Sequence, residues 1–445
     1  MKLDLPKVYR ACNPSQTLAV GNDRDRKYYI DFSSVRGGKI VEALGRTIRL
    51  LSPDEPTCQL FTGHIGCGKS TELMRLKAEL EQQGFHVIYF ESTQDLDMAD
   101  VDISDILLAI ARQVSESLES LQIKIGPKYF SELLKVSAEI LQAPLESSSD
   151  STLNLGIAKI TAKAKENPNL RRRLREYLEP RTAVILESIN AELLGRATEE
   201  LKRRGKKGLV VIVDNLDRVD PRPLPSGRSQ PEYLFIDRGE QLSKLNCHLV
   251  YTIPLGLIFS NEYQSLTNRL GGGVPPRVLP MIPVRLRDGS DCEEGMALLR
   301  QMVLARAFPD LDYTKRLDEV TEIFDSQETL DRLCRVSGGH LRNLLGLLFR
   351  CLQEEDPPLS RDCLERVIRE SSNHLIKGIT NYEWELLFQV VQQQSVRGEL
   401  EYQTLLRGLF VFEYLDRQGS WFSINPILEE TAKFQSWQQN NLIDG

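Results

Sequence analysis

The run Gly63-His64-Ile65-Gly66-Cys67-Gly68-Lys69-Ser70-Thr71 constrains this chain more than any other stretch. A glycine, four free positions and Gly-Lys-Ser work only between a strand and a helix, where successive backbone N–H groups can turn inward at a phosphate. The flanks supply both elements. Residues 58–62 read as a short buried strand, and residues 70–77 read as a helix. Gly63, Gly66 and Gly68 give the loop its backbone freedom, and the helix N-terminus adds partial positive charge. Lys69 would reach the β- and γ-phosphates, and the Ser70 hydroxyl would complete a Mg²⁺ shell. His64, Ile65 and Cys67 fill the free positions and Thr71 closes the string; His64 and Cys67 read as bystanders rather than catalysts. The motif commits the chain to an α/β fold with a parallel sheet.

The order of the remaining elements extends that fold. Residues 85–91 read as a buried strand, and Leu209-Val210-Val211-Ile212-Val213 is an apolar run too short for a helix, suited to a central strand. Asp214-Asn215-Leu216-Asp217-Arg218 follows at once. A carboxylate at the C-terminal end of such a strand lies on the sheet edge where ligands bind. Asp214 is therefore a candidate to hold Mg²⁺ through a water, and Asp217 to polarise an attacking water or support the metal shell. Residues 248–254 predict another buried strand with Thr252 near its end, and the prolines within 278–284 predict an edge or irregular strand. Residues 100–206 are helical in character apart from a Ser-rich loop at 144–151, and read as an insertion. Helical pattern returns from about 290 and contains Gly338-Gly339-His340-Leu341-Arg342. Helical stretches at 382–392 and 402–409, then two strand-like segments around Gly419, predict a winged helix.

A chain of 445 residues has length for two or three domains. It has no apolar run of eighteen or more residues and no secretory core after Met1, so a spanning helix or leader is not expected. The eight cysteines show no CxxC pair or zinc spacing, which predicts reduced thiols in the cytoplasm and no structural metal. A net charge of −7 weighs against a broad phosphate-binding surface. The two densest basic runs, around Arg171 to Arg175 and Lys202 to Lys207, have acidic neighbours and read as solvated helix faces.

Taken in order, these motifs resemble the AAA+/STAND branch of P-loop ATPases, with an origin-recognition-like architecture and a KAP-like Walker B string at 214–218. Residues 62–73 are also similar to the Thr-Gly-His-x-Gly-x-Gly-Lys-Ser-Thr-Glu-Leu string of a group of bacterial stand-alone ATPases. The resemblance implies ATP and Mg²⁺ as cofactors, Asp214 as the Walker B acid and Thr252 as a sensor facing the γ-phosphate. It implies Arg342 as a sensor-2 arginine reaching from a helical lid, and Tyr29, Ile30 and Asp31 near an adenine pocket. It divides the chain into a P-loop ATPase domain at 1–290 with its insertion at 100–206, a helical lid at 291–377 and a winged helix at 378–445.

One departure bears on rate. Asn215 stands where many AAA+ proteins carry a Glu that orients the attacking water, leaving that role to Asp217. Slow hydrolysis suits a switch better than a motor, and Arg218, Arg269 and Arg277 are candidates for an arginine finger in trans. No guanine-reading Asn-Lys-x-Asp string is present, which favours ATP. The leading expectation is a cytoplasmic switch whose nucleotide state governs homo-oligomerisation or partner-protein binding. A DNA-acting ATPase is an alternative, opposed by the cation-free segment Gly419-Ser420-Trp421-Phe422-Ser423; a nucleotide-binding scaffold without turnover is another.

Overall fold

The computed structural model describes residues 3–123, 128–140 and 167–443, with 157, 158, 160 and 162 between them. The Ser-rich segment expected at 144–151 lies outside the described residues. The chain forms two compact units: Val41–Thr62 with Leu76–Arg277, and Met1–Ile40 with Gly63–Arg75 and Val278–Gly445.

The first unit is built on the sheet. It carries the strands β1 (Cys58–Gly63), β2 (His86–Glu91), β3 (Leu209–Asp214) and β4 (His248–Thr252); with the short β5 (Arg277–Leu279) the strand order is β2-β3-β4-β1-β5. The pairs β2–β3, β3–β4 and β4–β1 are all parallel, with Glu91 in register with Asp214 and Phe61 with Thr252. All six residues of β3 are buried, as a β-branched run between two paired neighbours requires. β4 stands between the strand that leads into the phosphate loop and the strand that ends in Asp214. This is the parallel-sheet fold of a P-loop NTPase. β5 stops at Leu279, because Pro280 and Pro283 lack the N–H that would extend it.

Between β2 and β3 in sequence, the described residues are mostly helical. In Ile103–Ser120 the side chains of Ile106, Leu107, Ile110, Val114 and Leu118 are buried at helical spacing, and Asp102 with Asp105 closes a capping box at its start. The basic run in this region is solvated only in part: Arg172 and Arg173 are exposed, but Arg171 and Arg175 turn inward. Arg171 is buried and contacts Asp97 at 2.8 Å and Asp100 at 3.2 Å, while Arg175 reaches Asp100 and Asp105, both at 2.7 Å. Three carboxylates far away in sequence neutralise it. The second run does stay at the surface, where Arg203 and Arg204 pair with Glu200.

The second unit has its own core. Val8, Cys12, Phe32 and Val35 from the N-terminal segment pack with Met296, Leu299, Val303, Leu333, Leu344 and Leu348 from the helices after 290. Its C-terminal part runs from helix Asn381–Gln393 through helix Leu400–Arg407 to the antiparallel hairpin β6 (Val411–Asp416) and β7 (Gly419–Ile424). That order is consistent with a winged helix. Among the described residues no helix is long and apolar enough to cross a membrane.

Candidate functional site

The phosphate loop belongs to the second unit, together with the segments that hold it. Lys69 is buried, and its Nζ donates to the carbonyls of Gly63 and His64, each at 2.8 Å. Ser70 and Thr71 are half-buried at the start of helix Lys69–Gln82. Gly66 sits at φ +89°, and a Cβ there would lie 2.7 Å from His340 Nε2 and 2.9 Å from Arg342 Cβ. Only glycine fits that position. The Gly66 carbonyl accepts the backbone N–H of Arg342 at 3.2 Å, so the first turn of helix Leu341–Glu354 docks on the loop. The sequence-predicted Arg342 and the loop are thereby brought together.

Two histidines complete this clasp. His340 caps its helix: Nδ1 accepts the Asn343 N–H at 3.2 Å, and Nε2 donates to the Ile65 carbonyl at 2.8 Å. His64 works in the opposite tautomer. Its Nε2 accepts the backbone N–H of Glu413 at 3.0 Å, which leaves the proton of the neutral ring on Nδ1. Burial, with help from the neighbouring His340 and Lys69, lowers His64 to about 3, and burial lowers His340 to about 4. Both rings flank Phe412 of β6, with centroids 5.8 and 5.6 Å away. His64 is thus the joint between the phosphate loop and the C-terminal hairpin. Its partner is a backbone amide, which leaves no mark in the sequence.

Arg36 is a second residue that the sequence did not single out. Its guanidinium is buried and donates to the Cys67 carbonyl at 2.7 Å, while Nε has no hydrogen-bond partner among the described residues. Tyr29, expected near an adenine pocket, donates its hydroxyl to Glu72 at 3.0 Å, and Glu72 pairs with Arg75 on the loop's helix. The Sγ of Cys67 faces the Leu279 carbonyl at 3.7 Å. Glu413 is buried, and burial pushes its carboxyl up to about 7; Ser420 donates to Oε1 at 2.8 Å, and Oε2 lacks a partner among the described residues.

The acidic strand end belongs to the sheet unit. Asp214 is buried; one carboxylate oxygen accepts its neighbour's N–H, from Asn215 at 2.7 Å, and the other accepts the Tyr89 hydroxyl at 2.8 Å. Asn215 takes the left-handed conformation, φ +64°, which turns the chain into a short 3₁₀ turn, Leu216–Arg218, carrying the half-buried Asp217. Thr252 is fully buried, and its Oγ1 accepts the Leu216 N–H at 3.1 Å. Asp214, Asp217 and Thr252 are therefore drawn around one turn, with Thr252 bracing it.

These features fit a nucleotide triphosphate. The loop presents a lysine, a helix N-terminus and a backbone that only glycine can follow, and the orphaned Nε of Arg36 is a further buried cationic donor beside it. No cluster of three or more His, Cys, Asp or Glu able to hold a metal occurs among the described residues. A hard ion such as Mg²⁺ bound largely by phosphate and water does not need one.

Residues 38–226 match the KAP family P-loop domain. No curated protein matches the chain. Among solved structures, Cdc6p from Pyrobaculum aerophilum is similar at 14% identity and a TM-score of 0.38, covering 94% of this chain and 98% of that one. A Walker-type ATPase of Pyrococcus abyssi is similar at 12% identity and 0.40, covering 90% and 98%. The Aeropyrum pernix ORC2 protein, in ADPNP–ADP complexes, is similar at 12% and 0.39, covering 90% and 94%. The protein is accordingly a P-loop NTPase by fold, and over residues 38–226 its similarity is to the KAP family P-loop domain.

Proposed function

We propose that this protein is an ATP-binding, slowly hydrolysing switch that couples nucleotide state to self-assembly or to binding a partner protein. Gly63 to Thr71 would cradle the phosphates, Lys69 would neutralise their charge, and Ser70 and Asp214 would hold Mg²⁺. Asp217 would orient the attacking water in place of the glutamate that Asn215 replaces, and Thr252 and Arg342 would sense the γ-phosphate.

The observation that carries the reading is the clasp on the phosphate loop. Three consecutive loop residues are held from outside: His64 by the Glu413 amide, Ile65 by His340 and Gly66 by the Arg342 amide. A phosphate that reshapes this loop must strain or relax those bonds, which gives the two nucleotide states different contacts with the C-terminal module. The hairpin offers little support for the DNA-binding alternative: Arg417 is its one cation, and Asp416 pairs with Arg287.

Steady-state ATPase measurement of the wild type beside Lys69→Ala and Asp214→Ala tests the enzyme claim. Each variant should lose on the order of 100-fold in turnover, as removal of a transition-state charge partner does. Particle size should differ between ATP and ADP. If the wild type binds ATP yet turns over no faster than either variant, the protein is a nucleotide-binding scaffold.

A further inference from the structure

Away from the phosphate loop, the second unit contains a cavity of about 370 Å³ between its N-terminal segment and helix Glu293–Ala307. Lys7, Arg10, Arg24, Lys27 and Arg306 line it, with Tyr28 on one wall. Five cationic side chains converging on one cavity are unexpected in a chain of net charge −7. Two carboxylates, Asp23 and Asp25, share the lining.

Arg306 is the group that demands an explanation. Its residue is 6% exposed, and its Nε has no hydrogen-bond partner among the described residues. Its best oxygen is the Tyr28 carbonyl, at a marginal 3.5 Å, and its guanidinium lies 5.4 Å from the Tyr28 ring centroid. A desolvated guanidinium costs several kcal/mol unless an anion or several acceptors replace its water. The groups around it do not fill that need. Burial pushes the adjacent Cys12 thiol up to about 12, so it stays neutral. Asp25 acts on Arg306 at longer range, and one of its oxygens already accepts the Ala19 N–H at 2.9 Å. At the rim Lys27 is paired with Asp310, while Lys7, Arg10 and Arg24 are exposed.

We propose that this cavity is a second anion-binding site, separate from the phosphate loop, that takes the terminal phosphate of a small phosphorylated molecule on Arg306. The planar fork of a guanidinium matches two phosphate oxygens, and a cavity of this volume falls in the range of small-ligand sites. A buried arginine at the floor selects a molecule that can insert a terminal dianion, which the backbone of a duplex cannot do. The rim cations Lys7, Arg10 and Arg24 would steer the ligand and meet its remaining charge. The walls belong to the same unit as the phosphate loop, which suits an effector site of the switch.

Inorganic pyrophosphate titrated calorimetrically into full-length Lys69→Ala, where the loop has lost its phosphate-binding lysine, tests the site directly. One site should remain, with affinity that falls as salt rises. Adding Arg306→Gln should weaken it roughly tenfold or more, the loss of a charge-assisted hydrogen bond. Because Arg306 is buried, the exposed pair Lys7→Ala and Arg24→Ala gives an independent reading that does not threaten the fold, and should weaken binding about threefold or more. Absence of pyrophosphate binding to Lys69→Ala, or binding indifferent to the Lys7 and Arg24 changes, overturns the proposal. Duplex DNA that displaces pyrophosphate from this site overturns its assignment to a small molecule. None of these outcomes depends on ATP turnover.

Discussion

The turn after β3 and the phosphate loop are both short, glycine- or asparagine-bent segments at the end of a parallel strand, yet they are stabilised in different ways. At the turn, Asp214 accepts the N–H of the next residue, and Leu216 donates to Thr252 on the adjacent strand. Both of these bonds lie within the sheet and the turn that ends it. At the loop, His64 meets an amide 349 residues away and Ile65 meets a histidine 275 residues away. The acidic turn is held by residues of its own sheet, and the loop by residues from the far end of the chain.

The largest effect expected from breaking this contrast is at Gly66. Gly66→Ala imposes a left-handed φ on a residue with a Cβ and drives that Cβ into His340, so stability should fall by about 2 to 4 kcal/mol in urea unfolding. Little loss would show that the helix carrying His340 moves away from the loop easily.

Titration sharpens the contrast next. His64 and His340 titrate near 3 and 4 in the fold against 6.5 unfolded, so the unfolded chain takes up protons first, and stability falls as pH drops from about 6.5. Glu413 has the opposite sign. Its carboxyl titrates at about 7 folded against 4.5 unfolded, so its contribution is complete below 4.5 and is lost as pH rises through 7. Glu413→Gln should therefore gain about 2 kcal/mol relative to wild type between pH 5 and 8, read from paired unfolding curves. Parallel curves would mean that the carboxyl is solvated.

Two matched deletions compare the regions themselves. His64→Leu strands the buried Glu413 N–H, and Thr252→Val strands the buried Leu216 N–H, each costing about 1 to 2 kcal/mol. Hydrogen exchange should then differ: only His64→Leu should speed exchange across Val411–Asp416, and only Thr252→Val across Leu216–Arg218. The smallest effect belongs to the surface. Arg203→Ala should leave the urea unfolding midpoint unchanged, because its pair with Glu200 is solvent-exposed.

The strands were readable because each is a contiguous apolar run bounded by turn residues, as at 209–213 before Asp214-Asn215. The helix at Ile103–Ser120 was readable from its period. The end of β5 was visible in its prolines, but its length was not, since 278–284 also allowed a longer irregular strand. Arg171 reads as solvated in the sequence because its neutralising partners, Asp97 and Asp100, lie 74 and 71 residues earlier. The sequence does not single out Arg36, and it shows His64 only as a bystander in the loop, for a related reason: each meets a backbone group, and every residue type offers the same amide and carbonyl.

The sequence by itself determined the strand–loop–helix at Gly63 to Thr71, the acid at the end of β3 and the parallel α/β fold, because local backbone geometry and short apolar runs specify those features. Only the tertiary structure decided that the loop is clasped by His340, Arg342 and Glu413, and that Arg306 is buried over a cationic cavity. Both depend on which distant segments share a core, and that is settled by packing the whole chain rather than by any motif within it.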